Sequence, residues 1–186
     1  MNVPLFITAV VFGLMLAESR LSSRNETILR ESGAIRPAGD PWLAIAVLYP
    51  AAFLLMGIEG AWRATIGATS SDGPAWPAAG VLLFTASKML KYWAIGTLGT
   101  RWSFRVWLLP GRDLVRSGPY QYVAHPNYVA VAGELVGAAM MMRAAIFGPV
   151  MIALFGLALA ARIRFENRML AAVAAGGALD ASEGKR

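Results

Sequence analysis

No cysteine occurs in the 186 residues, and histidine occurs once, as His125. The first absence excludes disulfides, thiolate metal sites and a cysteine nucleophile. The second leaves no His-rich ligand set, so no metal is expected. Charge is scarce as well, at 15% of residues against 57% hydrophobic. Soluble domains average roughly 25% charged and 45–50% apolar, which moves this chain toward the membrane class. Acidic residues are the scarcer sign, 11 against 17 basic, for a formal charge of +6. Such an excess can signal nucleic acid, but its placement here has another explanation.

The apolar residues fall into five runs. Residues 3–17 form the first, with neither the basic start nor the small-residue cleavage site of a signal peptide. It reads as a retained helix, short for a span. Residues 18–41 are polar, and Ser22 or Ser23 is placed to cap a short separate helix ending near Gly33, with Glu26 and Arg30 paired four apart. Asn25-Glu-Thr27 matches a glycosylation sequon, which the topology below discounts. Residues 42–62 run from Trp42 to Trp62, about 30 Å of helix with an aromatic at each interface and a kink expected at Pro50. Residues 75–96 form the third run, where Lys88 and Lys91 are expected to snorkel to the head-group level. Residues 97–126 are basic and aromatic by turns, an interfacial segment rather than a span. Two short runs, 127–142 and 144–161, each short for a core of about 30 Å, follow as a tight helical hairpin, with Gly133 and Gly137 offering a small-residue face for close packing. Beyond Arg168 the tail is rich in Ala and Gly and is expected to be loose.

Every lysine and arginine except Arg63, Lys88 and Arg143 lies in 18–41, 91–126 or 162–186. The positive-inside rule then puts the N-terminus outside and the C-terminus in the cytosol. Anionic lipid on that face adds a reason for the excess charge, and no nucleic-acid partner is needed. The expected fold is an all-α integral membrane protein of about five transmembrane helices, the last two a hairpin. Residues 1–96 would be a three-helix membrane part with a cytosolic loop at 18–41, residues 97–172 a second part, and 173–186 the tail.

The chemistry concentrates in Arg116-Ser-Gly-Pro-Tyr-Gln-Tyr-Val-Ala-His-Pro-Asn-Tyr128. Gly118-Pro119 signals a turn, and Pro126 biases His125 toward extended backbone. Glu134 lies two helical turns beyond Asn127 on the same face, and an ionisable residue at that depth is a functional candidate. Arg162 and Glu166 are one turn apart at the end of the fifth run. Because runs four and five form a hairpin, these two must neighbour His125 and Tyr128. The bland alternatives are a membrane-surface loop, a neutralised Glu134 and an ordinary four-apart ion pair.

Gly118-Pro-Tyr-Gln-Tyr-Val-Ala-His-Pro-Asn-Tyr128, followed by a hydrophobic hairpin and Arg162-Ile-Arg-Phe-Glu166, resembles the isoprenylcysteine carboxyl methyltransferase family. The resemblance covers roughly residues 97–170. It implies a bundle of membrane helices using S-adenosylmethionine, with S-adenosylhomocysteine as product and no metal. It makes 97–172 the cofactor-binding methyltransferase part. Tyr120, His125, Pro126, Asn127, Tyr128, Arg162 and Glu166 would contact the cofactor, and Arg162, Glu166 and Glu134 are the candidate catalytic groups. Arg24-Asn-Glu26 resembles a bacterial branch acting on lipidic phenols or pyrones. Arg24, Asn25, Glu26 and Trp102 are therefore the candidate substrate contacts, for a lipophilic acceptor that stays in the bilayer of a bacterial inner membrane. Two positions depart from the family pattern, Ala124 for its arginine and Asn167 for its second glutamate, and the family's tyrosine-rich tail is missing. A membrane sterol or enone-lipid reductase using NADPH shares a His-Pro element, but continues after its Arg…Glu with a tyrosine- and tryptophan-containing stretch absent here. A non-enzymatic scaffold or transporter explains the hydropathy but not the pairing of His125 and Tyr128 with Arg162 and Glu166.

Overall fold

The computed structural model describes residues 2–68, 73–109 and 114–174. The expected loose tail lies outside them from residue 175. Among the described residues there are five α-helices: α1 Val3–Glu31, α2 Trp42–Thr65, α3 Ala75–Leu98, α4 Pro126–Met142 and α5 Phe147–Ala174. Helices α1, α2 and α5 are long and apolar enough to cross a membrane. The distribution of polarity supports that medium. Leu82, Leu157 and Met89 are 72%, 71% and 69% exposed, while Glu18, Glu59, Lys88, Lys91, Glu134 and Arg162 are all buried. A water-soluble fold would do the reverse.

Two helices run further than their hydropathy predicted. The polar residues after position 17 do not start a separate short helix, because no proline or glycine interrupts the chain before Gly33. Thr8, Val11, Glu18, Ser22, Asn25 and Leu29 instead recur at helical spacing on one buried face of α1. Ser22 is an interior residue rather than a cap, and Glu26 pairs with Arg105 at 3.1 Å instead of Arg30. At the other end α5 continues through Arg162 and Glu166 to Ala174, a helix long and apolar enough to cross. Arginine and glutamate are good helix formers, so a change in hydropathy there does not end the helix. Helix α2 passes through Pro50 and remains helical to Thr65.

Helices consecutive in the chain run antiparallel. Pro4 and Thr8 of α1 lie against Gly60 and Gly57 of α2, and Tyr49 of α2 meets Phe155 of α5 with ring centroids 5.5 Å apart. Both carboxylate oxygens of Glu59 cap α5, accepting the amides of Ile146 at 2.9 Å and Phe147 at 2.7 Å. A carboxylate there satisfies orphan donors and complements the helix dipole. The apolar core is built around Phe53, Met56, Leu135, Met142 and Phe155.

The most extensive helix pair is α3 with α4, and glycine is the reason. A methyl group on Gly137 would stand 2.7 Å from the amide nitrogen of Phe84, and one on Gly80 would stand 2.7 Å from the carbonyl of Gly137. Gly133, the other half of the expected small-residue face, sits against Ser87. Gly137→Ala is therefore expected to lower stability by roughly 1–3 kcal/mol in a detergent unfolding titration. Gly96→Ala, where a methyl meets open space, is expected to be neutral or stabilising by up to about 1 kcal/mol. Equal responses from the two would show that the α3–α4 approach does not set the packing.

Candidate active site

The loop before α4 is shaped by residues that leave little choice. Gly118 has φ +58, and a side chain there would run into Thr97 of α3. Pro119 is buried in a 3-10 turn, Gly118–Gln121, that turns the chain toward the bundle. Pro126 supplies the first residue of α4 without an amide to satisfy, and His125 before it has φ −129, as the residue ahead of a proline should.

From this start α4 sets Tyr128 against α5. The Tyr128 hydroxyl donates to Glu166 Oε2 at 2.5 Å and accepts from Arg162 Nε at 2.9 Å. The His125 ring stacks on Tyr128 with centroids 5.2 Å apart, its Nδ1 3.9 Å from Glu166 Oε2. His125 Nε2 lies 3.0 Å from Asn167 Oδ1. Asn167, a departure from the family pattern, thus gives His125 a neutral partner where a glutamate would bring charge. Tyr120 is drawn to the same group: burial and the Glu166 carboxylate both push its phenol well above the usual range, so it stays protonated.

Arg162 joins this cluster to the rest of the molecule. Its Nη2 donates to the carbonyl of Phe104, and its Nη1 is 3.5 Å from Asp40 Oδ1. Phe104 belongs to a strap, residues 102–109, clamped from three sides. Ser22 of α1 accepts its amide at 2.8 Å, Asn25 donates to Trp102 O at 2.7 Å, and Asp40 Oδ2 accepts from Val106 N at 3.0 Å. A two-residue antiparallel bridge, Ile35 with Leu108, closes its far end, and Arg105 lies on the ring of Trp42 with 4.2 Å to the centroid. Three of the candidate substrate contacts take part: Asn25 and Trp102 through the bond just given, and Glu26 through Arg105. Arg24 is exposed. Asp40 and Phe104 were not singled out by sequence, and Ser22 only as a helix cap.

Glu134 is placed apart from this group. It is fully buried with Glu18, Lys88 and Lys91 in a quartet spanning α1, α3 and α4. Lys88 Nζ is 2.9 Å from Glu18 and 3.0 Å from Glu134, and Lys91 Nζ is 2.6 Å from Glu18 and 3.6 Å from Glu134. Tyr49 of α2 donates to Glu134 Oε2. The lysines therefore turn inward rather than snorkelling, because each finds two carboxylates inside the bundle. Among the described residues no three His, Cys, Asp or Glu side chains group as a metal-ligand set.

The family model described as isoprenylcysteine carboxyl methyltransferase (ICMT) matches residues 80–172, half of the chain. The chain belongs to the ICMT family. The match contains His125, Tyr128, Arg162 and Glu166, whereas Ser22, Asn25 and Asp40 lie outside it. Two full-length relatives are similar: YpbQ of Bacillus subtilis (strain 168), an uncharacterized protein 24% identical over 88% of this chain and 94% of its own, and an uncharacterized protein of Haemophilus influenzae (strain ATCC 51907 / DSM 11121 / KW20 / Rd), 26% identical over 86% and 90%. No solved structure matches. With three apolar helices of span length, ICMT membership makes this a membrane protein of a methyltransferase family.

The quartet carries two positive and two negative groups, so removing one leaves a buried charge unpaired. Lys91→Met is expected to cost roughly 3–5 kcal/mol in detergent unfolding. Lys91→Met combined with Glu18→Gln restores neutrality and is expected to recover at least about 1 kcal/mol of that loss. A double variant as unstable as the sum of its singles would mean the four groups are not coupled.

Proposed function

We propose that the protein is an S-adenosylmethionine-dependent methyltransferase that methylates an oxygen, carboxylate or hydroxyl, of a lipophilic acceptor. Its five helices would all lie in a bacterial inner membrane, N-terminus out, with the Tyr128 site at the cytosolic end. The observation that carries this reading is the bonded group of Tyr128, Arg162 and Glu166 under His125, joining two helices within the segment that matches the family.

The side chains present suit the cofactor. Its amino-acid end needs a carboxylate and a cation, and Glu166 and Arg162 offer both. Its adenine needs polar edges and an aromatic face, which His125, Tyr128 and Tyr120 provide. The side-chain oxygen of Asn127 is buried with no partner among the described residues, an acceptor left over for an ammonium or amino group. When bound, S-adenosylmethionine supplies a methyl already activated on a sulfonium. The protein's part is then positioning and charge placement. Arg162 holds the Tyr128 hydroxyl as a donor to Glu166, and Asp40 and the Phe104 carbonyl hold Arg162. Asp40 is thus a positioning residue. A carboxylate acceptor needs no base. For a phenol or enol, Glu166 and His125 stand at this end of the bundle, while Glu134 is engaged by Lys88, Lys91 and Tyr49. The strap, held at Trp102 by Asn25 and at Arg105 by Glu26, would form the acceptor's side of the site.

Calorimetry on detergent-purified protein tests this. Micromolar-range binding of S-adenosylmethionine is expected, weakened about tenfold or more, ~1.4 kcal/mol, by Glu166→Gln or His125→Ala. Asp40→Asn is expected to weaken it less and to leave the fold intact by circular dichroism. Binding of NADPH with none of S-adenosylmethionine would replace this reading with the reductase. A 14-dalton shift on a phenolic or pyrone lipid in extracts from cells carrying the protein would fix the acceptor class.

A further inference from the structure

The far end of the bundle, where α2 and α4 finish and α3 and α5 begin, holds a second feature unrelated to the Tyr128 site. A groove of ≈ 600 Å³ opens there, walled by Val136, Met140 and Ile152 and rimmed by Arg63, Arg143 and Trp76. The charge pattern makes those two arginines unusual. Every other basic residue lies in the segments assigned to the opposite face or, for Lys88, inside the quartet. The two that escape that bias, 80 residues apart in the chain, converge on one groove.

Arg143 is placed there at a cost. It ends α4 in the left-handed conformation, with φ 54 and ψ 39. Among the described residues it is the one non-glycine with positive φ. Glycine is the usual residue at such a helix end because it carries no Cβ penalty. An arginine in its place keeps a guanidinium on the rim, where its Nη2 donates to the carbonyl of Gly73 at 2.8 Å. Arg63, also lining the groove, donates from Nη2 to the carbonyl of Ala68 at 3.3 Å, while its Nε is buried with no hydrogen-bond acceptor. A guanidinium is a planar fork of five donors matched to phosphate oxygens. Trp76 stands half-exposed at the rim, where amphipathic aromatic rings favour the head-group level. Two cations and an indole at the mouth of an apolar trough fit one chemistry.

We propose that this groove binds an anionic phospholipid, its phosphate between Arg63 and Arg143 and one acyl chain along Val136, Met140 and Ile152. The site lies at the opposite end of α4 from Tyr128, so its occupant is a resident lipid and not the methyl acceptor. A free phosphate would satisfy the arginines but leave the apolar walls bare.

The test uses full-length protein in a neutral detergent. Binding is followed by tryptophan fluorescence with phosphatidylglycerol, phosphatidylcholine of the same chains, and inorganic phosphate as probes. Phosphatidylglycerol is expected to bind about tenfold or more tighter than phosphatidylcholine, a difference of ~1.4 kcal/mol, and inorganic phosphate to compete poorly. Arg143→Gly removes the guanidinium while relieving the left-handed backbone. It is expected to fold at least as well as the wild type without lipid, and to lose most of the preference. Arg63→Gln should erase what remains, and neither should change S-adenosylmethionine binding. Equal affinity for the two lipids, a preference that survives Arg143→Gly, or full displacement by inorganic phosphate would each overturn the proposal.

Discussion

A charge inside this bundle has no water to fall back on, and that constraint organises everything polar in the molecule. With the outer surface given over to side chains such as Leu82 and Leu157, each buried ion must find its counter-charge and hydrogen bonds within the fold. Two solutions coexist. The quartet of Glu18, Lys88, Lys91 and Glu134 balances its charges within itself. It thereby pins the register of α1 and α4 on α3 without involving the loops. Arg162 is different, because its partners are a carboxylate ahead of α2, a backbone carbonyl of the strap and a tyrosine of α4. One guanidinium therefore ties three chain segments to α5. Removing any of them leaves a cation in a dry place, so Arg162 and its partners are coupled.

This coupling explains why part of the site could be read from sequence and part could not. The hairpin forces the start of α4 against the later turns of α5, so adjacency of His125 and Tyr128 to Arg162 and Glu166 follows from chain order alone. The small-residue face at Gly133 and Gly137 is likewise local information. The extent of α1 was hidden because hydropathy was taken to mark helix ends. Glu18, Ser22 and Asn25 read as loop residues, whereas they form the inner face of a helix that serves other segments. A period of three to four in those polar residues was the available signal. Lys88 and Lys91 were misread for the same reason: the sequence shows their depth but not the two carboxylates, some 70 and 45 positions away, that turn them inward. Asp40 and the Phe104 carbonyl had no signal at all, since a backbone oxygen chosen by a distant guanidinium leaves no trace in residue type.

The boundary of the family match gains a physical meaning from these contacts. The matched segment, 80–172, supplies every group in the Tyr128 cluster, yet it cannot hold that cluster by itself. The counter-charge to Arg162 comes from Asp40. The strap that presents the Phe104 carbonyl is held by Ser22 and Asn25, and α5 is capped at its start by Glu59. All four lie before residue 80. The N-terminal helices are thus more than anchors, because they set the orientation of a guanidinium that in turn sets the proton on a tyrosine. The Tyr128 cluster can stay in the second half while the first half varies, provided that a carboxylate still meets Arg162 and a helix face still grips the strap. Variation in α1 would therefore reach the Tyr128 cluster through the strap, by moving the Phe104 carbonyl and with it Arg162, without any α1 side chain entering that cluster.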